Sequence, residues 1–360
     1  ASLGAEVIKI ENPAVGGDSS RAAGPYFLGE DDSQFFQTFN RGKKSVALDL
    51  KDPDGRQLFE RLVTTADAVA NNLRGDLPAA LKVDYAALSA IKPEIVCAHL
   101  SAYGRGNDRE AWPGYDYLMQ AEAGFLSLTG EPDGPPARFG LSMVDFMTGT
   151  MMATTLVSAI LGARRTGKGC DVDTSLLDTA LHQLSYPATW FLNEGKETAR
   201  LERSAHPSVV PSQLFRTEDG WIFLMCQLPK FWSVFCETVG RNDLSSNPDY
   251  ADVAARRTNR DRLQAELDAL FSTRPTNVWV EMLGGKVPVA PVYTIAEALT
   301  APTAAHMIET VDHPDRPGGL KLLREPFAID GERPSGARAP KLGEHTHEVL
   351  GALDDEAPRA

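Results

Sequence analysis

The chain is poor in cysteine, short of positive charge and without a long apolar run. Cys97, Cys170, Cys226 and Cys236 are scattered through 360 residues with no CxxC spacing. That excludes a disulfide framework and a zinc ribbon, and fits the reduced thiols of a cytoplasmic protein. Basic residues number 36 against 49 acidic ones, a formal net charge of −13, and they form no basic stripe. Nucleic acid and anionic membrane surfaces are therefore not expected as partners. An anionic small molecule is not, because a site needs only a few local cations. The longest apolar stretch, Met151 to Ala163, is interrupted by Thr154, Thr155 and Ser158. At about 13 residues it falls short of the roughly 20 that span a bilayer. No secretory signal opens the chain, which starts at Ala1-Ser2-Leu3-Gly4 like the end of a glycine-capped helix. There is no internal repeat.

What is present reads as globular, with 42% hydrophobic and 24% charged residues, and the length suggests two domains. The first half alternates strand and helix signals. Val7–Ile10, Ser45–Leu50, Asp67–Asn71 and Glu94–Leu100 read as strands, and Gly55–Thr65 and Pro78–Ile91 as helices with apolar residues on one face. Such alternation predicts an α/β fold with a parallel sheet and crossover helices. Gly114–Leu128 and Phe146–Ala163 read as further helices, and Val172–Ala180 as a strand running into a helix that ends near Asn193. A polar segment, 194–210, reads as a linker. A smaller α+β domain follows over 211–300. Seven of the 24 prolines fall in 301–360, which predicts an extended return segment. The large domain thus starts as 1–193.

Several motifs point to chemistry only weakly. Gly162-Ala-Arg-Arg-Thr-Gly167-Lys168-Gly169 nearly matches a phosphate-binding loop. It lacks the closing Ser/Thr, and it ends a helix instead of opening one, so a glycine-terminated helix with basic residues at its C-terminal end is the better reading. No GxGxxG supports a nicotinamide or flavin site. His345-Thr346-His347 lacks a third metal ligand and reads as a solvated tail; no metal is expected. His182, His206, His306 and His313 have no acid or nucleophile at catalytic spacing, and His99, in an apolar strand, reads as a satisfied core residue. Asp145 sits where a loop becomes a helix, between Val144 and Phe146. It is either a helix cap or an ionised carboxylate of limited hydration, able to act as a nucleophile.

Taken together, the motifs resemble class III CoA-transferases, the family of formyl-CoA and carnitine CoA-transferases and of α-methylacyl-CoA racemase. The resemblance runs along nearly the whole chain: Leu3-Gly-Ala-Glu-Val-Ile-Lys-Ile-Glu11 with Gly17-Asp18 and Arg21; Asn40-Arg41, Lys44-Ser45 and Leu48-Asp-Leu-Lys51; Asn72-Leu73-Arg74; Ser101-Ala-Tyr-Gly104; Gly114–Gly130; Gly140–Gly149; Gly167-Lys-Gly169 to Asp178; Val287–Val292; and Pro340–Thr346. It implies a Rossmann-like large domain built from both chain ends, a smaller domain between them, and an interlocked homodimer. Family members carry a first strand and an Ala-Gly-Pro loop that this chain is expected to lack.

The same resemblance implies CoA transfer from an acyl-CoA to a carboxylic acid, with Asp145 as nucleophile and Tyr115 beside it. Racemases carry a histidine at the position of Tyr115, whose phenol, with a reference pKa of about 10, is a poor proton shuttle; transfer is favoured over racemisation or turnover-free CoA binding. Leu50, Lys51, Asn72, Leu73 and Arg74 are expected to line the CoA site, with Arg21 facing its phosphates and Lys82 compensating for a basic residue replaced by Ala80. The stretch Cys226-Gln-Leu-Pro-Lys230 stands where formyl-CoA transferase has a glycine-rich loop, which argues against a formyl-CoA/oxalate pair. Gln227 and Lys230 are expected either to meet an acceptor carboxylate or to lie on the surface.

Overall fold

The computed structural model describes residues 1–355. The chain divides into two compact units. One combines residues 1–99, 152–173 and 295–360, and the other combines 100–151 and 174–294. Both chain ends share a unit. The division otherwise departs from 1–193 and 211–300, because residues 100–151 and 174–193 belong with the second unit.

The first unit has parallel pairing in two separate sets. Ile8–Glu11 pairs with Lys44–Ala47. Ala68–Asn71 pairs with Val96–Ser101, and Cys170–Ser175 completes that three-stranded sheet. The strand-helix alternation is therefore present, but not one continuous sheet. Its core joins Val46, Phe59, Leu62, Leu88, Ile95 and Val349. The helix Pro53–Thr65 starts on a defined cap, with Asp52 accepting from the Gly55 N–H at 2.9 Å. Gly55 packs so close that a Cβ there would lie 2.3 Å from the Asp49 carbonyl oxygen.

Two helices expected whole are broken. Pro78–Ile91 becomes Leu77–Ala80 and Tyr85–Leu88, because Lys82 turns left-handed (φ 53°) and Asp84 caps the second piece. Gly114–Leu128 becomes Asp116–Glu122 and Phe125–Leu128, separated at Gly124 (φ 91°). The return segment is also more ordered than its prolines suggest. It holds an antiparallel pair, Ile308–Val311 with Leu320–Leu323, and the helix Thr346–Asp355; its last residues, 356–360, lie outside the described ones.

The second unit contains an antiparallel sheet of Ser212–Arg216, Trp221–Met225 and Val289–Pro291. Helices pack on it around Phe215, Trp232, Phe235, Leu267, Phe271 and Trp279. A smaller core of Met119, Ala123, Val144, Leu176 and Ala180 lies elsewhere in this unit. The helix Met143–Thr166 runs 24 residues, far past the apolar run counted in the sequence. By length and composition it could cross a membrane, and only 11% of its apolar window is buried. The sequence estimate was short because threonine, serine and glycine continue the helix without breaking it.

Candidate active site

Asp145 occupies the first turn of Met143–Thr166. The residues beside it fix its backbone: Val144 and Thr148 are fully buried, and the Thr148 hydroxyl donates to the Val144 carbonyl at 2.7 Å. The N–H groups of a first helical turn lack intrahelical acceptors. Here the Asp145 N–H donates to Asp116 Oδ2 at 2.9 Å. Asp116 is itself buried and opens the helix Asp116–Glu122.

Gln120, one turn further along that helix, completes the support. Its Nε2 donates to Asp116 Oδ1 and to the Leu141 carbonyl, and its Oε1 accepts the Phe139 N–H at 2.9 Å. One buried amide thereby ties the loop before Asp145 to the carboxylate that caps it. The Asp145 side chain itself is exposed. Even so, desolvation first, and the Asp116 charge second, push its pKa up to about 6. The helix start would pull the other way, so the group is less acidic than an ordinary helix cap.

Tyr115 immediately precedes Asp116 and is 76% exposed. It leads into the helix that carries the cap and does not fill the core beside it. Asp116 and Gln120 were missed in the sequence; their Asp-x-x-x-Gln spacing, which puts both on one helical face, was the available signal.

The expected CoA residues Leu50, Lys51, Asn72, Leu73, Arg74 and Lys82 all fall in the first unit. Lys51, Asn72, Arg74 and Lys82 are exposed. Arg74 is paired with Asp76 at 2.9 Å, so a ligand phosphate would compete with that carboxylate. The neighbouring Asn71 belongs to a buried relay. Its Nδ2 meets His99 Nδ1 at 2.9 Å, and His99 Nε2 meets Asp171 Oδ1 at 2.9 Å. Asn71 Oδ1 accepts the Leu73 N–H at 3.4 Å, which sets the amide's orientation and leaves the His99 proton on Nε2. His99 is thus a satisfied core residue, as read from the sequence.

Arg21 departs from expectation. It is 1% exposed and stacks over Phe36. Its Nε and Nη2 bond both Glu11 oxygens, at 2.8 and 2.7 Å, and its Nη1 reaches the Pro340 carbonyl at 3.1 Å. Its guanidinium is thus held inside the protein against Glu11, which favours a structural role over a phosphate contact.

Other motifs also resolve. Gly167 ends its helix left-handed (φ 69°), and a Cβ on Gly169 would lie 1.8 Å from the Ile95 carbonyl oxygen. That run is helix end and close packing. His345 is no solvated tail. Its backbone N–H donates to the Ser45 carbonyl at 2.9 Å, and its Nδ1 accepts the Ser45 N–H at 3.3 Å. His313, Asp32 and Asp315 gather their ligand atoms within 4.8 Å. Those atoms already have partners: Asp32 Oδ2 at 3.0 Å from His313 Nε2, the Asp315 N–H on Nδ1 at 3.2 Å, and Lys341 on Asp315 at 2.7 Å. Gln227 is half-buried and its carbonyl accepts from Arg256 at 2.9 Å, while Lys230 is exposed on the first turn of Pro229–Thr238.

Comparison with known proteins assigns the family. The model for CoA-transferase family III matches residues 1–346. The chain is 34% identical to acetyl-CoA:oxalate CoA-transferase of Acetobacter aceti, over 95% of this chain and 87% of that protein. It is 32% identical to succinate–glutarate CoA-transferase of Agrobacterium fabrum, over 98% and 90%. A crystal structure of a CAIB/BAIF family protein from Brucella suis superposes with a TM-score of 0.82 at 30% identity, covering 98% of this chain and 93% of that one. A carboxylate seated on a helix start, in a chain matched along nearly its whole length by that family model, places this protein in CoA-transferase family III.

Proposed function

We propose that the protein moves CoA between two carboxylic acids through covalent intermediates on Asp145. The observation that carries this reading is the state of that carboxylate: accessible, backbone-fixed by Asp116, and with a pKa of about 6. Near neutral pH it is mostly ionised yet more basic than an ordinary aspartate, which suits a nucleophile.

An Asp145 oxygen attacks the thioester carbonyl of the donor. The C–S bond breaks, CoA leaves as thiolate, and a mixed anhydride remains. The thiolate attacks the Asp145 carbonyl, which frees the donor acid and leaves an aspartyl-CoA thioester. The acceptor carboxylate attacks that carbonyl and again expels the thiolate. The thiolate then attacks the acceptor's acyl carbon, so the new acyl-CoA forms and Asp145 returns as carboxylate. Storing the acyl bond on the protein protects its energy from hydrolysis.

Lys51, Asn72, Arg74 and Lys82, with Leu50 and Leu73, form the CoA-binding set of this reading; the burial of Arg21 against Glu11 favours a structural role for it instead. The relatives named above act on oxalate or on succinate and glutarate, so dicarboxylic acids are the substrate class to test. The A. aceti relative is itself named for oxalate, which removes the weight of the Cys226–Lys230 argument against that acid.

A homodimer is part of the same reading. Met143–Thr166 exposes Met151, Val157 and Leu161 beside the small residues Ala153, Ser158 and Gly162, a surface suited to close helix packing by a second copy. Light scattering should give twice the chain mass.

The decisive experiment is mass spectrometry of the denatured protein after incubation with acyl-CoA, with and without hydroxylamine. An adduct or hydroxamate on Asp145, lost in Asp145→Asn, supports transfer. Exchange of the α-hydrogen with solvent and no adduct would instead support racemisation.

A further inference from the structure

We infer that Arg138 is the specificity residue that receives the second carboxylate of a dicarboxylic substrate. The inference rests on the proposed transfer at Asp145 and adds to it the residue that selects dicarboxylic acids.

The surroundings of Asp145 are anionic. Asp116 lies against its N–H and is the charge that acts on it. A monocarboxylate acceptor loses its charge as it reacts. A dicarboxylate keeps one charge throughout, and near Asp116 and Asp145 that charge needs a fixed cation. The arginines that touch this part of the chain are mostly committed. Arg109 forms a double contact with Glu122. Arg200 donates to the carbonyls of Gly134 and Pro135, both at 2.9 Å. Arg203 pairs with Asp268.

Arg138 differs in what it leaves free. Its Nη1 donates to the Phe139 and Gly140 carbonyls, both at 3.1 Å, and its guanidinium lies 4.2 Å from the Tyr117 ring centre. These contacts hold the plane in place. Its Nε and Nη2 have no acidic partner among the described residues, and the side chain is exposed. That free edge has the geometry of a bidentate carboxylate contact. The position is tied to the nucleophile as well: the Phe139 N–H is held by Gln120, which holds Asp116, which holds the Asp145 N–H. A cation pre-oriented by stacking on one aromatic ring loses little entropy on binding.

The test is isotope exchange between an acyl-CoA and its own free acid, with succinyl-CoA/succinate set against butyryl-CoA/butyrate. Asp145 acylation is read in parallel by mass spectrometry. The expected result is that Arg138→Gln raises the KM for succinate at least tenfold while butyrate exchange stays within twofold, and that Arg138→Lys recovers part of the succinate loss. Equal effects on both acids, no effect on either, or a wild-type preference for butyrate overturns the role of Arg138. If Asp145 acylates normally in those cases, the transferase reading survives. If the wild-type protein is acylated by neither thioester, both fail.

Discussion

The backbone N–H of Asp145 is held by the carboxylate of Asp116 at 2.9 Å. That contact places the group, and the second negative charge it brings adds to desolvation, the larger cause, in raising the pKa of Asp145. Acylation needs the ionised form, so kcat/KM for the acyl-CoA should rise with pH and reach half its plateau near 6. Asp116→Asn removes the charge and keeps an oxygen to accept the N–H. Its acid limb should move below pH 6, whereas Asp116→Ala should also lose about 1.5–3 kcal/mol of stability. A pH–rate profile for both variants checks this; an unmoved midpoint in Asp116→Asn would show that Asp116 contributes no electrostatic push.

Asp145 should also cost stability. Its folded pKa lies above the ordinary 3.8, so the folded state holds the proton more tightly than the unfolded one. The penalty is absent below about pH 4, develops between about 4 and 6, and is complete above 6. Because the side chain is exposed and screened, it amounts to about 1 kcal/mol. Asp145→Asn should therefore melt higher than the wild type at pH 7.5 and alongside it at pH 4. Thermal unfolding at the two pH values checks this prediction, and equal shifts at both would contradict it.

Arg21 should behave as a structural residue. Glu11 accepts from Arg21, Ser45 and the Asp18 N–H, and hydrogen bonds from these groups hold its pKa below the usual range against the desolvation of its site. A depressed carboxylate contributes stability above its unfolded pKa and loses it on acidification. Arg21→Met leaves Glu11 buried and unpaired, at a cost of about 3–5 kcal/mol. The folded fraction should bind CoA as the wild type does. Urea unfolding together with calorimetric CoA titration separates the two effects; weakened CoA binding in a stably folded Arg21→Lys variant would restore the phosphate role.

Glu11 also shows how much of the molecule was legible. Three widely spaced motifs meet there: Glu11 with Asp18 and Arg21, Ser45, and the Pro340–Gly343 stretch, whose Gly343 N–H donates to the Ser45 hydroxyl at 2.9 Å. Motif order identified the family, but sequence does not show which carboxylate an arginine meets, and Arg21 meets Glu11. The loop-to-helix boundary singled out Asp145 and left cap and nucleophile open; the nucleophile role came from the family resemblance. Asp116 was not legible, since its role depends on a contact 29 positions along the chain. The break in Pro78–Ile91 turns on Lys82, an ordinary helix former held left-handed by its surroundings, whereas Gly124 breaks the other helix.

His99 yields the last prediction. Its Nδ1 accepts from Asn71, whose Oδ1 in turn accepts the Leu73 N–H, so the imidazole orients the first residues of the proposed CoA segment. Asparagine at 99 places an amide oxygen near the position of Nδ1; glutamine places its amide near Nε2 and Asp171. His99→Leu deletes both contacts in a site that is 2% exposed and should cost about 2–4 kcal/mol. Among folded variants, His99→Asn should bind CoA within about threefold of wild type and His99→Gln should lose roughly tenfold, a difference of about 1.4 kcal/mol. Titration calorimetry with CoA measures this directly. If CoA affinity follows the melting temperature across the three variants instead of the acceptor at Nδ1, the imidazole only stabilises the sheet. If Lys51→Ala and Arg74→Ala leave CoA affinity unchanged as well, the cofactor lies elsewhere.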